Sequence, residues 1–139
     1  LIVNQVKSPE AKHLSSIYVK DYMSENVTCL KSNITVKEAL KEIEAKGFSA
    51  YPLNNNRNKL VGLITKSDVE DAIFQGVNEN TEINKLMNPS PITISPSENL
   101  YIAYFRLHSN NANCLIVTDK ANNIKGIITR ENINKAINY

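Results

Sequence analysis

The chain has 139 residues, of which 42% are hydrophobic, and its 16 basic and 14 acidic side chains leave a net charge of +2. This length suits one ordinary domain, or two small units that share a core, and excludes a string of independent domains. The scattered charges argue against a dedicated nucleic-acid surface, and no nucleic acid is expected as a partner. No apolar run approaches the about 18 residues of a membrane helix, so a soluble chain is predicted.

The first half of the chain predicts short elements in the order β-α-β-β-α. A short leading helix is expected over HLSSIYVKDYM, and a strand is expected over residues 27–30. Thr35 precedes an amphipathic helix over VKEALKEIEAK, whose apolar residues recur at helical spacing until Gly47 stops it. The runs SAYPL and KLVGLIT then predict a hairpin, and SDVEDAIFQ predicts the closing helix.

The second half repeats the first at a constant offset of 64 residues. Without any gap, Met23 aligns with Met87, Gly62 with Gly126, and apolar positions fall mostly on apolar positions. TEINKLM takes the place of the leading helix. We therefore predict an N-terminal linker at 1–16, a first repeat at 17–75, an inter-repeat linker at 76–80 and a second repeat at 81–139.

Each repeat predicts a three-stranded sheet with helices over one face. Because the other face of each sheet would stay uncovered, we expect the two β-α-β-β-α repeats to pack face to face about a pseudo-twofold axis, in an α+β fold. Cys29 and Cys114 lie inside apolar runs at spacings that fit no zinc site, so they are interpreted as reduced, buried thiols of an intracellular protein. The chain starts at Leu1 rather than at a methionine, which favours a piece of a longer parent protein.

Both repeats contain the same strand-to-helix corner, GLITKSD at 62–68 and GIITREN at 126–132. The threonine of each corner falls just before the first helical turn, where unpaired N–H groups and the helix dipole favour an anion such as phosphate. Asp68 could accept the hydroxyls of a ribose, and Lys66 and Arg130 could supply a countercharge. We interpret the glycines as allowing backbone to come close to a ligand.

A purely structural interpretation of these corners stays open. Thr-x-x-Asp is also the pattern of a capping box, which needs no ligand. Tandem duplication would copy such a cap together with the rest of the repeat.

The ordered set of motifs resembles a known family. M-S-x-N-V-T at 23–28, F-S-A-Y-P-L at 48–53 and the Gly-x-x-Thr-x-x-Asp corner look like those of a tandem pair of cystathionine-β-synthase (CBS) domains, the Bateman module. The resemblance covers the chain from about residue 17 to its end. It implies a regulatory sensor of adenine nucleotides or related adenosyl compounds, without catalytic activity of its own.

The resemblance also implies two composite clefts, each joining the corner of one repeat to strand residues of the other. The first set contains Thr65, Lys66, Asp68, Ile92, Asn113, Cys114 and Leu115. The second set contains Thr129, Arg130, Asn132, Thr28, Phe48, Ser49, Ala50, Tyr51 and Pro52. We expect unequal sites, because the first set keeps the ribose acid without an aromatic wall, and the second has two aromatic rings but Asn132 where the family prefers aspartate.

The candidate ligands are ATP, ADP, AMP and S-adenosylmethionine, and no catalytic cofactor is expected. No Ser-His-Asp spacing, zinc ligand set or Walker loop occurs, so neither catalytic residues nor a metal site are predicted. Two functions remain open, an adenosyl-sensing regulatory module and a ligand-free dimerisation scaffold with vestigial clefts. The resemblance further implies a homodimer formed through helices and an attached channel, transporter or enzyme, in the cytoplasm or as the cytosolic part of a membrane protein.

Overall fold

A computed structural model of the chain describes residues 8–138. Its elements are α1 (Pro9–Ser15), α2 (Val19–Tyr22), β1 (Leu30–Lys31), α3 (Val36–Lys46), β2 (Ala50–Asn54), β3 (Leu60–Thr65), α4 (Lys66–Phe74), a 3₁₀ turn (Ile83–Lys85), β4 (Thr93–Ile94), α5 (Leu100–Ser109), β5 (Cys114–Thr118), β6 (Ile124–Thr129) and α6 (Arg130–Ile137). The predicted order β-α-β-β-α therefore occurs twice, and the α+β class is confirmed. Among residues 8–138, no helix has the length and apolar character needed to cross a bilayer.

The described residues form two compact units that do not follow the order of the chain. The α3–α4 unit comprises residues 26–91 and 121–124, and the α5–α6 unit comprises residues 8–25, 92–120 and 125–138. The N-terminal segment, which includes residues 17–25 of the first sequence repeat, thus packs with the elements of the second. Packing units and sequence repeats are consequently different divisions of the same chain.

The α3–α4 unit is built on a mixed sheet of order β1-β2-β3. β1 runs parallel to β2, with Leu30 opposite Leu53, and β2 runs antiparallel to β3, with Tyr51 opposite Ile64. Alternate residues of β3 are buried, as expected for a strand with one face on the core. The core consists of Leu30, Val36, Ala39, Ile43, Tyr51, Leu53, Ile64, Val69 and Ile83.

The α5–α6 unit has the equivalent sheet of order β4-β5-β6, in which β4 runs parallel to β5. Its core consists of Leu14, Val19, Ile94, Leu100, Ala103, Leu107, Leu115, Val117, Ile128, Ile133 and Ala136. Helix α1 packs against both α5 and α6 in this unit. Leu14 and Val19, which precede the first strand, therefore contribute to the core around the second sheet.

The predicted start and stop of the first amphipathic helix are confirmed. Thr35 Oγ1 accepts the N–H of Glu38 at 3.2 Å, and Glu38 Oε1 accepts the N–H of Thr35 at 2.9 Å, which together form a capping box. At the other end of α3, Gly47 adopts φ of 78° and its N–H donates to Ile43 O. The left-handed conformation suits glycine because a Cβ would be strained there.

Three predicted elements differ from the structure. HLSSIYVKDYM forms two helices rather than one, because the chain is extended at Tyr18 and the Val19 N–H donates to Glu98 O at 2.8 Å. TEINKLM contains only the 3₁₀ turn. The strand predicted at 27–30 lies at Leu30–Lys31, where pairing with β2 begins. Part of the predicted N-terminal linker forms α1, and residues 1–7 lie outside the described range.

Glu38 gives a pH-dependent test of this capping box. Its hydrogen bonds with Thr35 lower the pKa of the Glu38 carboxyl group from the ordinary value of 4.5. A carboxyl whose pKa is lower in the folded state stabilises the fold above its unfolded pKa, and this contribution disappears as the pH falls through the folded pKa. We expect Glu38→Gln, which can still form a capping box, to be less stable than wild type at pH 7.

The expected difference in melting temperature between wild type and Glu38→Gln is constant above about pH 5.5 and shrinks below about pH 4.5. Thermal melts from pH 7 to pH 3 measure it. Glu44→Gln is the control, since Glu44 is an exposed residue nearer the other end of α3. A difference in melting temperature between wild type and Glu38→Gln that does not change with pH would contradict a stabilising role for the charged Glu38 carboxylate in the capping box.

Candidate functional site

The first corner, Thr65–Asp68 at the start of α4, forms a complete capping box and is called the α4 corner. Thr65 Oγ1 accepts the N–H of Asp68 at 3.0 Å, and Asp68 Oδ2 accepts the N–H of Thr65 at 3.0 Å. The structural interpretation of the motif is therefore realised here. Whether the corner also suits a ligand depends on which polar atoms the cap leaves available.

The cap leaves a donor and an acceptor available at the α4 corner. The Lys66 N–H donates to Ser49 O at 2.9 Å, whereas the next amide, that of Ser67, has no acceptor among residues 8–138. The Asp68 side chain is exposed, and Oδ1 accepts no hydrogen bond from the described part of the chain. One backbone donor and one carboxylate oxygen are thus presented together at the positive end of the α4 dipole.

The second corner, Thr129–Asn132 at the start of α6, has the same backbone geometry and is called the α6 corner. Asn132 Oδ1 accepts both the N–H of Thr129 and the hydroxyl of Thr129, each at 2.8 Å, and the Asn132 N–H donates to Thr129 Oγ1 at 3.4 Å. Asn132 Nδ2 donates to Ser24 Oγ at 3.2 Å. Both ends of the Asn132 amide are therefore engaged within the α5–α6 unit.

The two corner glycines contact protein rather than leaving room for a ligand. A Cβ on Gly62 would overlap Met87 Sδ and lie 2.9 Å from Asn88 O. A Cβ on Gly126 would lie 2.7 Å from Ser24 O and 2.9 Å from Met23 Sδ. The prediction that these glycines allow backbone to approach a ligand is wrong, because a methionine and the following backbone already fill that space.

The segments that fill these spaces pair with the edge strands. Asn88 and Leu63 exchange both backbone hydrogen bonds at 2.8 and 2.9 Å. Ser24 and Ile127 do the same at 2.9 and 3.0 Å in the other unit. Ser24 was not predicted from the sequence as a partner of Asn132, although the dipeptides Met-Ser and Met-Asn recur at the same offset as the glycines.

The strand residues of the second predicted set differ widely in exposure. Thr28 and Ala50 are half-buried, Ser49 is exposed, and Pro52 is buried in β2. Tyr51 is completely buried, and desolvation raises the pKa of its hydroxyl. The Phe48 ring lies 6.2 Å from that of Tyr51 and is 41% exposed, which leaves Phe48 as the exposed aromatic ring of this set.

The strand residues of the first predicted set lie at the edge and in the interior of the α5–α6 sheet. Ile92 is half-buried and Asn113 is exposed, whereas Cys114 and Leu115 are buried in β5. Burial raises the pKa of the Cys114 thiol, and that of Cys29 rises for the same reason. Each predicted set draws residues from both units, so the joining of corner and strand residues into one cleft stays a prediction.

The basic side chains predicted to accompany the corners, those of Lys66 and Arg130, are both exposed. They begin α4 and α6 respectively, next to the capping threonines. Among residues 8–138, no group of three or more His, Cys, Asp or Glu side chains is arranged to hold a metal ion.

Comparison with known proteins identifies the family. The sequence model of the CBS domain family matches the chain twice, at residues 19–75 and 82–139. The chain is a tandem pair of CBS domains. The resemblance inferred from the repeated motifs is thereby confirmed, and the two matches cover most of the chain.

Solved CBS pairs have the same fold as this one. CBSX2, crystallised in complex with AMP, matches with a TM-score of 0.78 and 26% identity over 87% of this chain and 96% of that chain. The CBS domain pair of protein MJ0100, in complex with 5′-methylthioadenosine and S-adenosyl-L-methionine, matches with a TM-score of 0.77 and 27% identity over 87% and 95%.

Longer proteins include a region that is similar to this chain. The homoserine O-acetyltransferase of Methanohalobium evestigatum is 30% identical over 124 residues, which represent 89% of this chain and 25% of the relative. The chain thus spans about a quarter of the length of that protein.

The packing at the glycines can be tested by substitution. Gly62→Ala and Gly126→Ala should each lower the free energy of unfolding by about 1–3 kcal/mol, because the added methyl group overlaps well-packed atoms. Met87→Ala should relieve part of the cost of Gly62→Ala, since the nearest atom there is Met87 Sδ. Met23→Ala should relieve less of the cost of Gly126→Ala, because the nearest atom there is the backbone Ser24 O.

Urea denaturation of the single and double variants in two double-mutant cycles measures these couplings. Equal stability of wild type and Gly62→Ala, or coupling that is stronger in the Gly126 cycle, would disprove this packing account.

Proposed function

We propose that this CBS pair is a regulatory module that binds an adenosyl ligand and has no catalytic role of its own. The observation that carries the proposal is the α4 corner, where a capped helix start still presents the Oδ1 of Asp68 and the N–H of Ser67. Support comes from two similar CBS pairs, one crystallised with AMP and the other with 5′-methylthioadenosine and S-adenosyl-L-methionine. The candidate ligands are ATP, ADP, AMP and S-adenosylmethionine.

Each polar group of the α4 corner suits a different part of such a ligand. Asp68 Oδ1 would accept a ribose hydroxyl, and a charged acceptor makes a bond roughly twice as strong as a neutral one. The Ser67 N–H and the α4 dipole would attract a phosphate, with the exposed Lys66 as countercharge. The residues proposed to contact the base remain those named from the family resemblance.

The regulatory effect would arise from linkage between the ligand and the arrangement of the attached protein. A ligand shifts a conformational equilibrium only by its difference in affinity for the two states, so tight binding alone would not regulate anything. Because relatives carry this module as about a quarter of a longer chain, we propose that the regulated partner is a covalently attached domain in the cytoplasm. An enzyme, a channel or a transporter each fits this role.

Substituting Asp68 separates ligand binding from capping. Asn132 forms the same capping box at the α6 corner, so Asp68→Asn should keep the cap and lower the melting temperature of the free protein only slightly, through the charge lost at the start of α4. Its affinity for AMP or S-adenosylmethionine should fall about 5- to 10-fold, because a charged hydrogen bond to the ribose becomes a neutral one. Asp71→Asn, an exposed position on the same helix, is the matched control and should bind as wild type does.

Calorimetric titration and thermal melts with ATP, ADP, AMP and S-adenosylmethionine give the measurement. A ligand present at 100 times its dissociation constant should stabilise the fold by about 2.7 kcal/mol. If none of the four compounds raises the melting temperature, the sensing function is rejected.

A dimerisation scaffold is the second candidate function, and exposed apolar side chains favour it. Phe74 at the end of α4 is 93% exposed and Phe105 on α5 is 58% exposed. Ile73 precedes Phe74 and Tyr104 precedes Phe105, and each has about two fifths of its surface exposed. Large apolar side chains that are exposed next to one another are typical of interaction surfaces.

This second function predicts a homodimer in the absence of any ligand. Phe74→Ser and Phe105→Ser, made separately, should shift the sedimentation profile from dimer to monomer if the corresponding helix forms the interface, whereas Gln75→Ser should not. A wild-type protein that sediments as a monomer at about 100 μM, far above typical dimer dissociation constants, would rule out the scaffold.

A further inference from the structure

Residues 8–24, here called the strap, are attached to both ends of α6 within the α5–α6 unit. In α1, His13 Nε2 donates to Ala136 O at 3.0 Å, in the last turn of α6. At the other end of the strap, Ser24 Oγ accepts from Asn132 Nδ2 at 3.2 Å, in the first turn of α6. Between these points, Leu14 and Val19 of the strap are buried in the core of this unit.

The position of Ser24 is determined by backbone contacts rather than by its own side chain. Ser24 exchanges two backbone hydrogen bonds with Ile127 of β6, and Met23 lies against Gly126. The Ser24 hydroxyl is therefore held on the edge of the sheet beside the α6 corner. A side chain held in this way can form a hydrogen bond at low entropic cost.

The orientation of the Asn132 amide follows from its partners. Its oxygen must face Thr129, because the Thr129 N–H can only donate a hydrogen bond. Two donors from Thr129 occupy that oxygen, so the only atoms Asn132 could offer a ligand are the two hydrogens on Nδ2. Ser24 already accepts one of them.

Among residues 8–138, the α4 corner has no contact that corresponds to the Ser24–Asn132 hydrogen bond. The residue equivalent to Ser24 is Asn88, whose side-chain oxygen accepts the N–H of Ser90 at 2.9 Å within its own turn. Asp68 Oδ1 therefore has no internal competitor among residues 8–138. The two corners differ in this respect as well as in the exchange of aspartate for asparagine.

We propose that Ser24 is a latch on the α6 corner, so that the Ser24–Asn132 hydrogen bond and an adenosyl ligand whose ribose engages both Nδ2 hydrogens of Asn132 exclude one another. The inference rests on the proposed function, since it assumes that the ribose of the ligand is held by the fourth residue of each corner. The α4 corner then fills first. Filling of the α6 corner removes this side-chain hydrogen bond and loosens the C-terminal end of the strap, which the backbone bonds between Ser24 and Ile127 still hold in place. By reciprocity, an intact Ser24–Asn132 bond lowers the affinity of that corner.

Titration of the full chain with AMP and with S-adenosylmethionine tests the latch. Wild type should bind one equivalent tightly and a second weakly. Ser24→Ala should lower the dissociation constant of the second equivalent about 2- to 10-fold, which corresponds to the free energy of one hydrogen bond. The dissociation constant of the first equivalent should not change. Ser24→Thr, which keeps the hydroxyl, should restore wild-type behaviour. Ser16→Ala, in the same strap but bonded to His13 O, should resemble wild type.

Hydrogen exchange gives a second measurement that does not depend on affinity. In wild type, binding of the second ligand equivalent should raise the hydrogen-exchange rate of the amides of residues 19–24, and binding of the first should not. In Ser24→Ala these amides should already exchange faster without ligand. A urea denaturation curve for each variant checks that it is folded.

The outcomes separate the latch from the proposed function. If Asp68→Asn weakens binding and Ser24→Ala changes neither the second equivalent nor the exchange of the strap, the sensing function stands and the latch is rejected. If exchange of the strap decreases when the second equivalent binds, the latch is also rejected. If neither AMP nor S-adenosylmethionine binds to wild type or to Ser24→Ala, both inferences are rejected together.

Discussion

The reciprocal hydrogen bond between a threonine and the side chain three residues later is the interaction on which both candidate sites depend. In each unit it ends the last strand and starts the closing helix within a single residue, at Thr65 and at Thr129. The same bond holds the fourth residue of the corner at the helix start, where the dipole is positive. Capping and ligand binding are therefore compatible at this corner, because a carboxylate has more acceptor positions than the cap uses.

The exchange of leading segments between the two repeats gives each corner its neighbours. Met23 and Ser24 belong to the first repeat yet contact β6 of the second, and Met87 and Asn88 belong to the second repeat yet contact β3 of the first. Glycine is needed opposite each methionine because any Cβ would overlap it. A residue of one repeat thus contacts the corner of the other repeat, as Ser24 contacts Asn132.

Duplication followed by divergence at two positions is sufficient to make the corners chemically unequal. Replacing aspartate by asparagine preserves the cap, since an amide oxygen accepts the same N–H, but removes the charge and supplies a donor. At the α6 corner this donor forms a hydrogen bond with Ser24 Oγ. The equivalent residue at the α4 corner is Asn88, whose side chain bonds within its own turn. If the proposed adenosyl ligand binds at both corners, one open and one internally bonded corner would make the response to ligand concentration occur in two steps.

The sequence alone determined the repeat, the β-α-β-β-α order and the limits of α3, because hydrophobic periodicity, caps and a glycine stop can be recognised in the chain itself. The family followed from the resemblance of its ordered motifs to those of CBS domains. The sequence did not determine which segment packs in which unit, since the single leading helix expected at residues 13–23 is divided by a backbone hydrogen bond from Val19 to the distant Glu98. The role of the glycines and the engagement of Asn132 were likewise decided by tertiary structure. Each depends on atoms about 25 or more than 100 residues away, and a periodic pattern carries no information about such contacts.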